Sequence, residues 1–174
     1  MSTLNAAGLI PDIQDGMFLP NQPITRAEFS VMAAKFTKMT ASTQTSSFID
    51  VPSDHWAAAE IALIEQQGWI KGDGNGYFRP DATITRAEAM AIVNRMLERA
   101  VEKEHMLPTM IQWADNPTAN WYYEDVQEAT NSHTFVRLTK QVPGESYFYE
   151  EWQLLLTNPN WAELEKSWSQ INSK

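Results

Sequence analysis

Apolar side chains recur at helical spacing in two stretches, first at Phe29, Met32, Ala33 and Phe36, then at Ala89, Ile92, Val93, Met96, Leu97 and Ala100. Steps of three and four residues place each set on one face of a helix. Both stripes follow the same tetrapeptide, Thr25-Arg26-Ala27-Glu28 or Thr85-Arg86-Ala87-Glu88. A Thr followed three residues later by Glu is a helix start, because hydroxyl and carboxylate each satisfy a backbone N–H. Trp56, Ala59, Leu63 and Ile64 predict a further helix over roughly 54–67, with Ser53 as N-cap and Gly68 as the left-handed residue that ends it. The stretch Lys71-Gly72-Asp73-Gly74-Asn75-Gly76 favours turns. Near the end of the chain, Asn158-Pro159 opens one more predicted helix, with Trp161, Leu164, Trp168 and Ile171 on one face.

These elements repeat. Shifted by 60 positions, Gly8-Leu9-Ile10 falls on Gly68-Trp69-Ile70, Gly16-Met17-Phe18-Leu19-Pro20 on Gly76-Tyr77-Phe78-Arg79-Pro80, and the two Thr-Arg-Ala-Glu motifs on each other. A weaker copy lies 65 positions on, where Phe48-Ile49-Asp50 falls on Trp113-Ala114-Asp115, Trp56 on Trp121 and Ile61 on Val126. Its second half is degraded, and near Tyr147 to Trp152 only Glu151 matches the motif's Glu. Each unit is therefore a helix-loop-helix that buries its apolar face against its neighbours, and the chain is expected to be all-α. Thr40 to Ser47 and Glu98 to His105 read as linkers.

At 174 residues, 43% hydrophobic and 11% aromatic, the chain has enough apolar material for one compact domain. A net charge of −9 argues against nucleic acid, whose binding needs clustered Lys and Arg. Seven Trp residues suit either a deep core or flat binding surfaces, and composition does not choose between them. There is no Cys, hence no disulfide framework or thiolate metal site, and His55, His105 and His133 form no ligand cluster in the sequence. No metal and no cofactor is expected. The opening MSTLNAAGLIPDIQDG is not a signal peptide, and no apolar run is long enough to insert into a membrane. Work outside the cell would require an export signal upstream.

A capping box needs only the first and last residue of Thr-Arg-Ala-Glu, which leaves Arg26 and Arg86 unexplained. An Arg at the first helical position sits beside unpaired N–H groups and the positive end of the helix dipole, a corner that attracts carboxylates. Its planar fork matches a carboxylate with two bonds. Binding a ligand and binding a neighbouring Asp or Glu are both open on the residues alone. Three other chemistries fail on detail. A calcium loop starting at Asp73 finds Phe78 and Ile84 where Gly and Glu are needed. Nothing in the spacing pairs two carboxylates for glycoside hydrolysis, Glu98, Glu102 and Glu104 reading as solvated. No nucleophile constellation exists, so no catalysis is expected.

Phe48-Ile49-Asp50-Val51, His55-Trp56-Ala57, Gly68-Trp69-Ile70, Gly76-Tyr77-Phe78-Arg79-Pro80 and Ile84-Thr85-Arg86-Ala87-Glu88, in this order, closely resemble a complete S-layer homology (SLH) repeat. The resemblance covers nearly the whole chain: residues 1–39 as the second half of a first repeat, 48–104 as a full second repeat, 110–157 as a divergent third with Asn120-Trp121-Tyr122 in place of His-Trp-Ala, and 158–174 as a C-terminal helix. It implies three helix-loop-helix prongs around a pseudo-threefold axis with a central helical bundle. It also implies a non-catalytic anchoring module at the cell surface, cell wall or S-layer, whose grooves hold a pyruvylated secondary cell-wall polysaccharide. Carried over residue by residue, the ligand-binding set is Arg26, Arg86, Asp50, Trp56, Asp115 and Trp121, with Lys71 and Gly72 beside them. The rival expectation is a protein-binding assembly module of a surface layer, with self-association possible. The first repeat lacks its opening half and the third lacks its Arg, so at most two grooves are expected to be competent. The tail segment Trp161-Ala162-Glu163-Leu164-Glu165 imitates Trp56-Ala57-Ala58-Ala59-Glu60 and is a candidate to fill the missing place.

Overall fold

A computed structural model describes residues 21–37, 39, 45–157 and 163. The Gly8 and Gly16 segments of the first copy and the predicted tail helix, with its suggested place in the first repeat, lie outside the described residues. Contacts along the chain separate two units, residues 1–98 and 99–174.

In the first unit, helix α1 (Arg26–Phe36) starts on Thr25 with the expected capping box to Glu28, and helix α3 (Arg86–Met96) starts on Thr85 with the same box to Glu88. Between them, helix α2 (Ala58–Gln66) begins later than the pattern suggests. Ser53 does not cap it, because the chain first makes two turns, His55 N–H to Pro52 O (2.9 Å) and Ala58 N–H to His55 O (2.9 Å). Its end is as expected: Gly68 takes φ 71°, and the N–H groups of Gly68 and Trp69 return to the carbonyls of Glu65 and Ile64.

The core gathers Ala27, Val31 and Ala34 of α1, Ile61 and Ile64 of α2, Ile92 of α3, and Val51, Ile70 and Phe78 from the loops. Phe48 stacks on Phe78 with ring centroids 5.2 Å apart. The buried stripe of α1 thus runs through small residues, while Phe36 is exposed. Small side chains let α2 pack closely against this face. On α3, likewise, Ala91 and Ile92 are buried whereas Val93 and Leu97 face outward.

The second unit overturns the all-α expectation. After a 3₁₀ turn (Lys103–His105) and helix α4 (Tyr123–Thr130) come two antiparallel strands, β1 (His133–Gln141) and β2 (Phe148–Leu155). The second half of the third copy is therefore a hairpin, and three helix-loop-helix prongs are not what this chain forms. Glu151, matched above to a helix-start Glu, sits on β2 opposite Val136. The physical reason is local: Thr134, Phe135, Val136 and Thr139 on one side and Phe148, Tyr149 and Trp152 on the other are strand formers, joined through Pro143 and a Gly144 at φ 79°. Val101, Met106, Met110, Tyr123 and Trp152 make this unit's core. No helix among the described residues is long and apolar enough to cross a membrane.

Candidate functional site

The motif residues of the first unit converge on one peptide, that of Phe78. Asp50 accepts the Phe78 N–H at 2.8 Å and the Arg79 N–H at 2.7 Å, one on each carboxylate oxygen. From the other side Arg26 Nε donates to the Phe78 carbonyl at 2.8 Å, and its guanidinium lies 4.6 Å from the centre of the Phe78 ring. The remaining Arg26 donors go to the Lys71 carbonyl at 3.2 Å and to the Glu88 carboxylate. Glu88 divides its oxygens: one pairs with Arg26, the other accepts from the Thr85 N–H and hydroxyl. Copy one's Arg is thus tied to copy two's Glu.

The start of α1 is closed in the same way. The N–H groups of Arg26 and Ala27 donate to the carbonyls of Ala82 (2.8 Å) and Pro80 (2.9 Å), and Thr25 and Thr83 form a short antiparallel bridge. Only 14% of the Arg26 side chain is exposed.

Arg86 occupies the equivalent place on α3 and is exposed. Among the described residues its guanidinium has no hydrogen-bond or ion-pair partner, and no carbonyl closes the helix start as those of Pro80 and Ala82 close α1.

Gly72 is required by packing. A Cβ there would lie 2.7 Å from Phe48 and 2.8 Å from the Tyr77 carbonyl. Next to it, Asp73 closes the Gly74-Asn75-Gly76 turn by accepting from the N–H groups of Asn75 (2.9 Å) and Tyr77 (3.3 Å) and from Arg79 (3.0 Å). The Asn75 N–H is the main cause holding the Asp73 carboxyl below its ordinary value, with Tyr77 and Arg79 adding to it against a contribution from burial. Arg79 itself sits at φ 61°, a strained position for a residue with a Cβ, fixed by its N–H bond to Asp50.

Trp56 is 58% exposed, with its ring 5.8 Å from that of His55, whose Nδ1 accepts from the Ala57 N–H. In the second unit Trp121 is 63% exposed and meets Tyr122 edge to face, while Asp115 is exposed on a turn. Of the expected residues, then, Arg26, Asp50 and, through its carbonyl, Lys71 share one network, and Gly72 packs beside it against Phe48 and Tyr77. Trp56 and Arg86 stand outside it on the same unit, and Asp115 and Trp121 belong to the other unit. Glu88 and Phe78 are participants that the sequence reading did not single out, although both lie inside the repeated motifs. Glu102, read as solvated, pairs with Lys140 at 2.6 Å.

Residues 1–30 and 47–90 match the S-layer homology domain. The chain is 34% identical over 125 residues to a cellulosome-anchoring protein of Acetivibrio thermocellus, covering 70% of this chain and 27% of that protein. It is 31% identical over 129 residues to an amylopullulanase of Thermoanaerobacterium thermosulfurigenes, covering 69% of this chain and 7% of the enzyme. Over 57 residues it is 37% identical to the S-layer protein sap of Bacillus anthracis, covering 33% of this chain and 7% of that protein. The chain thus spans about a quarter or less of the length of these relatives.

Proposed function

This chain belongs to the S-layer homology family through residues 1–30 and 47–90, and on that premise we propose that it anchors a larger protein to the bacterial cell surface by binding an anionic, pyruvylated secondary cell-wall polysaccharide at Arg86. Anchoring is the coarse function of the family, and it is not catalytic. The names of the relatives support this: similar segments stand in a cellulosome-anchoring protein, an amylopullulanase and an S-layer protein, so the shared part is not the source of any one chemistry.

The observation that carries the assignment to Arg86 is its contrast with Arg26. In this repeat logic the Arg of one copy pairs with the motif Glu of the next, as Arg26 does with Glu88. The third copy forms a hairpin where the pattern sets a second helix, and Arg86 has no such partner among the described residues. Arg86 is left on a capped helix start with its fork exposed, the chemistry that suits a carboxylate such as that of a ketal-linked pyruvate. Exposed Trp56 offers an indole face for the C–H side of a sugar.

Cosedimentation with purified cell-wall sacculi tests this. The chain should bind sacculi that keep their attached polymer and fail to bind sacculi chemically stripped of it. Arg86→Ala should weaken binding by about ten- to a hundred-fold, the loss of a charge-assisted pair. Equal binding to stripped and unstripped sacculi would assign the module to protein assembly instead.

A further inference from the structure

The most unusual chemistry outside the anchoring site lies under the hairpin of the second unit. Glu150 on β2 is fully buried, its backbone N–H is bonded to the Ala100 carbonyl at 2.7 Å, and neither carboxylate oxygen receives a hydrogen bond among the described residues. The Arg137 guanidinium on β1 stops 3.6 Å from it and is partly exposed. Glu128 on α4 is equally buried, with Trp152 Nε1 donating to one oxygen at 2.8 Å and the Arg99 guanidinium ion-paired to the other. His133 stacks on Trp152 at 4.1 Å, lies 2.7 Å through Nδ1 from the Asn131 carbonyl, and brings Nε2 to 3.3 Å from Glu128. A carbonyl only accepts, so Nδ1 carries a proton. The ligand atoms of Glu128, His133 and Glu150 lie within 4.8 Å of one another.

Two ionised carboxylates this close, one of them without a donor, repel each other in a medium that screens poorly, and a single proton removes the conflict. A metal ion is the other remedy. Its place between Glu128 and the His133 Nε2 is taken, however, since Arg99 pairs with that same Glu128 oxygen and lies 3.2 Å from Nε2. We propose that the Glu128–Glu150 pair is a proton-operated latch for the β-hairpin, firm while Glu150 holds the proton and loosened when it is lost.

The electrostatics agree with that placement of the proton. Burial, and then the charge of Glu128, push the Glu150 carboxyl up to about 7 against the pull of Arg99, Arg137 and His133. Burial also raises Glu128, but His133, Arg99 and Trp152 outweigh it and hold that carboxyl below its usual value. These groups face Glu150 from α4, from β1 and from the segment ahead of the 3₁₀ turn. Because the folded value of Glu150 lies above its unfolded value of 4.5, the latch's stability is fully present below that value and is lost as pH rises through about 7.

The test is a ¹³C NMR titration of the glutamate carboxyl carbons in the whole chain, with amide exchange of the 133–155 segment at pH 5.5 and 8.5, corrected for intrinsic rates. Glu150 should titrate near 7, and hairpin protection should fall about 30-fold between the two pH values by linkage. Glu150→Gln should abolish that fall. Titration of Glu150 between 4 and 5, or the same fall in the Gln variant, would overturn the latch, as would zinc uptake that shifts the His133 ring signals. Should the variant not fold, the titration of the natural chain decides alone.

Discussion

A guanidinium at a helix start can spend its donors inside the molecule or present them outward, and Arg26 and Arg86 divide along that line. Arg26 binds the Phe78 carbonyl, the Lys71 carbonyl and Glu88, so it works as a clamp between consecutive copies. Arg26→Ala should therefore cost about 2–3 kcal/mol of unfolding free energy, since it strands the partly buried Glu88 and frees two carbonyls. Urea denaturation measures it, and Arg86→Ala should shift the same transition by less than about 0.5 kcal/mol, as an exposed substitution does. The neighbouring glycine carries a different constraint. Gly72→Ala drives a Cβ against the backbone carbonyl of Tyr77, which cannot swing aside like a side chain. A loss of about 1–3 kcal/mol should follow in the same experiment. At this scale the repeated motif told which residue types mattered but left Arg26's two possible partners open, because a sequence shows that an Arg is present and not which carboxylate reaches it first. Glu88 was in plain view inside the second motif, already assigned to capping, and it serves both purposes.

Among elements, the helices were legible where local chemistry and period agree. Both capping boxes and the Gly68 ending stand as the residues imply, since each depends on neighbours a few positions away. The faces were less legible. In α1 Ala33 of the expected stripe is buried and Phe29 packs against the core, but Phe36 is exposed and the buried face is completed by Ala27, Val31 and Ala34, because close helix packing rewards small side chains that a hydrophobicity pattern undervalues. The hairpin was missed for another reason. Phe135-Val136, Tyr149 and the Pro143-Gly144 turn signal strands, but the repeat set an expectation of a helix over the same residues. A direct check of the hairpin is Gly144→Ala, which forces a Cβ into φ 79°. It should lower hairpin stability by about 1 kcal/mol, read as faster amide exchange in β1 and β2 with the first unit unchanged.

For the whole molecule, the repeat gives the organising rule, and the third copy departs from it in the hairpin. Between the first and second copies, the Arg of one fastens the Glu of the other. Arg86 has no such partner among the described residues, and on the function proposed above its exposed fork is the one that meets the ligand. The most direct measurement is calorimetric titration of a pyruvylated disaccharide into the natural chain and into the Arg26→Lys and Arg86→Lys variants. One site per chain, retained in Arg26→Lys and weakened at least ten-fold in Arg86→Lys, is the predicted result. Undiminished binding by Arg86→Lys and Arg86→Ala alike would contradict it.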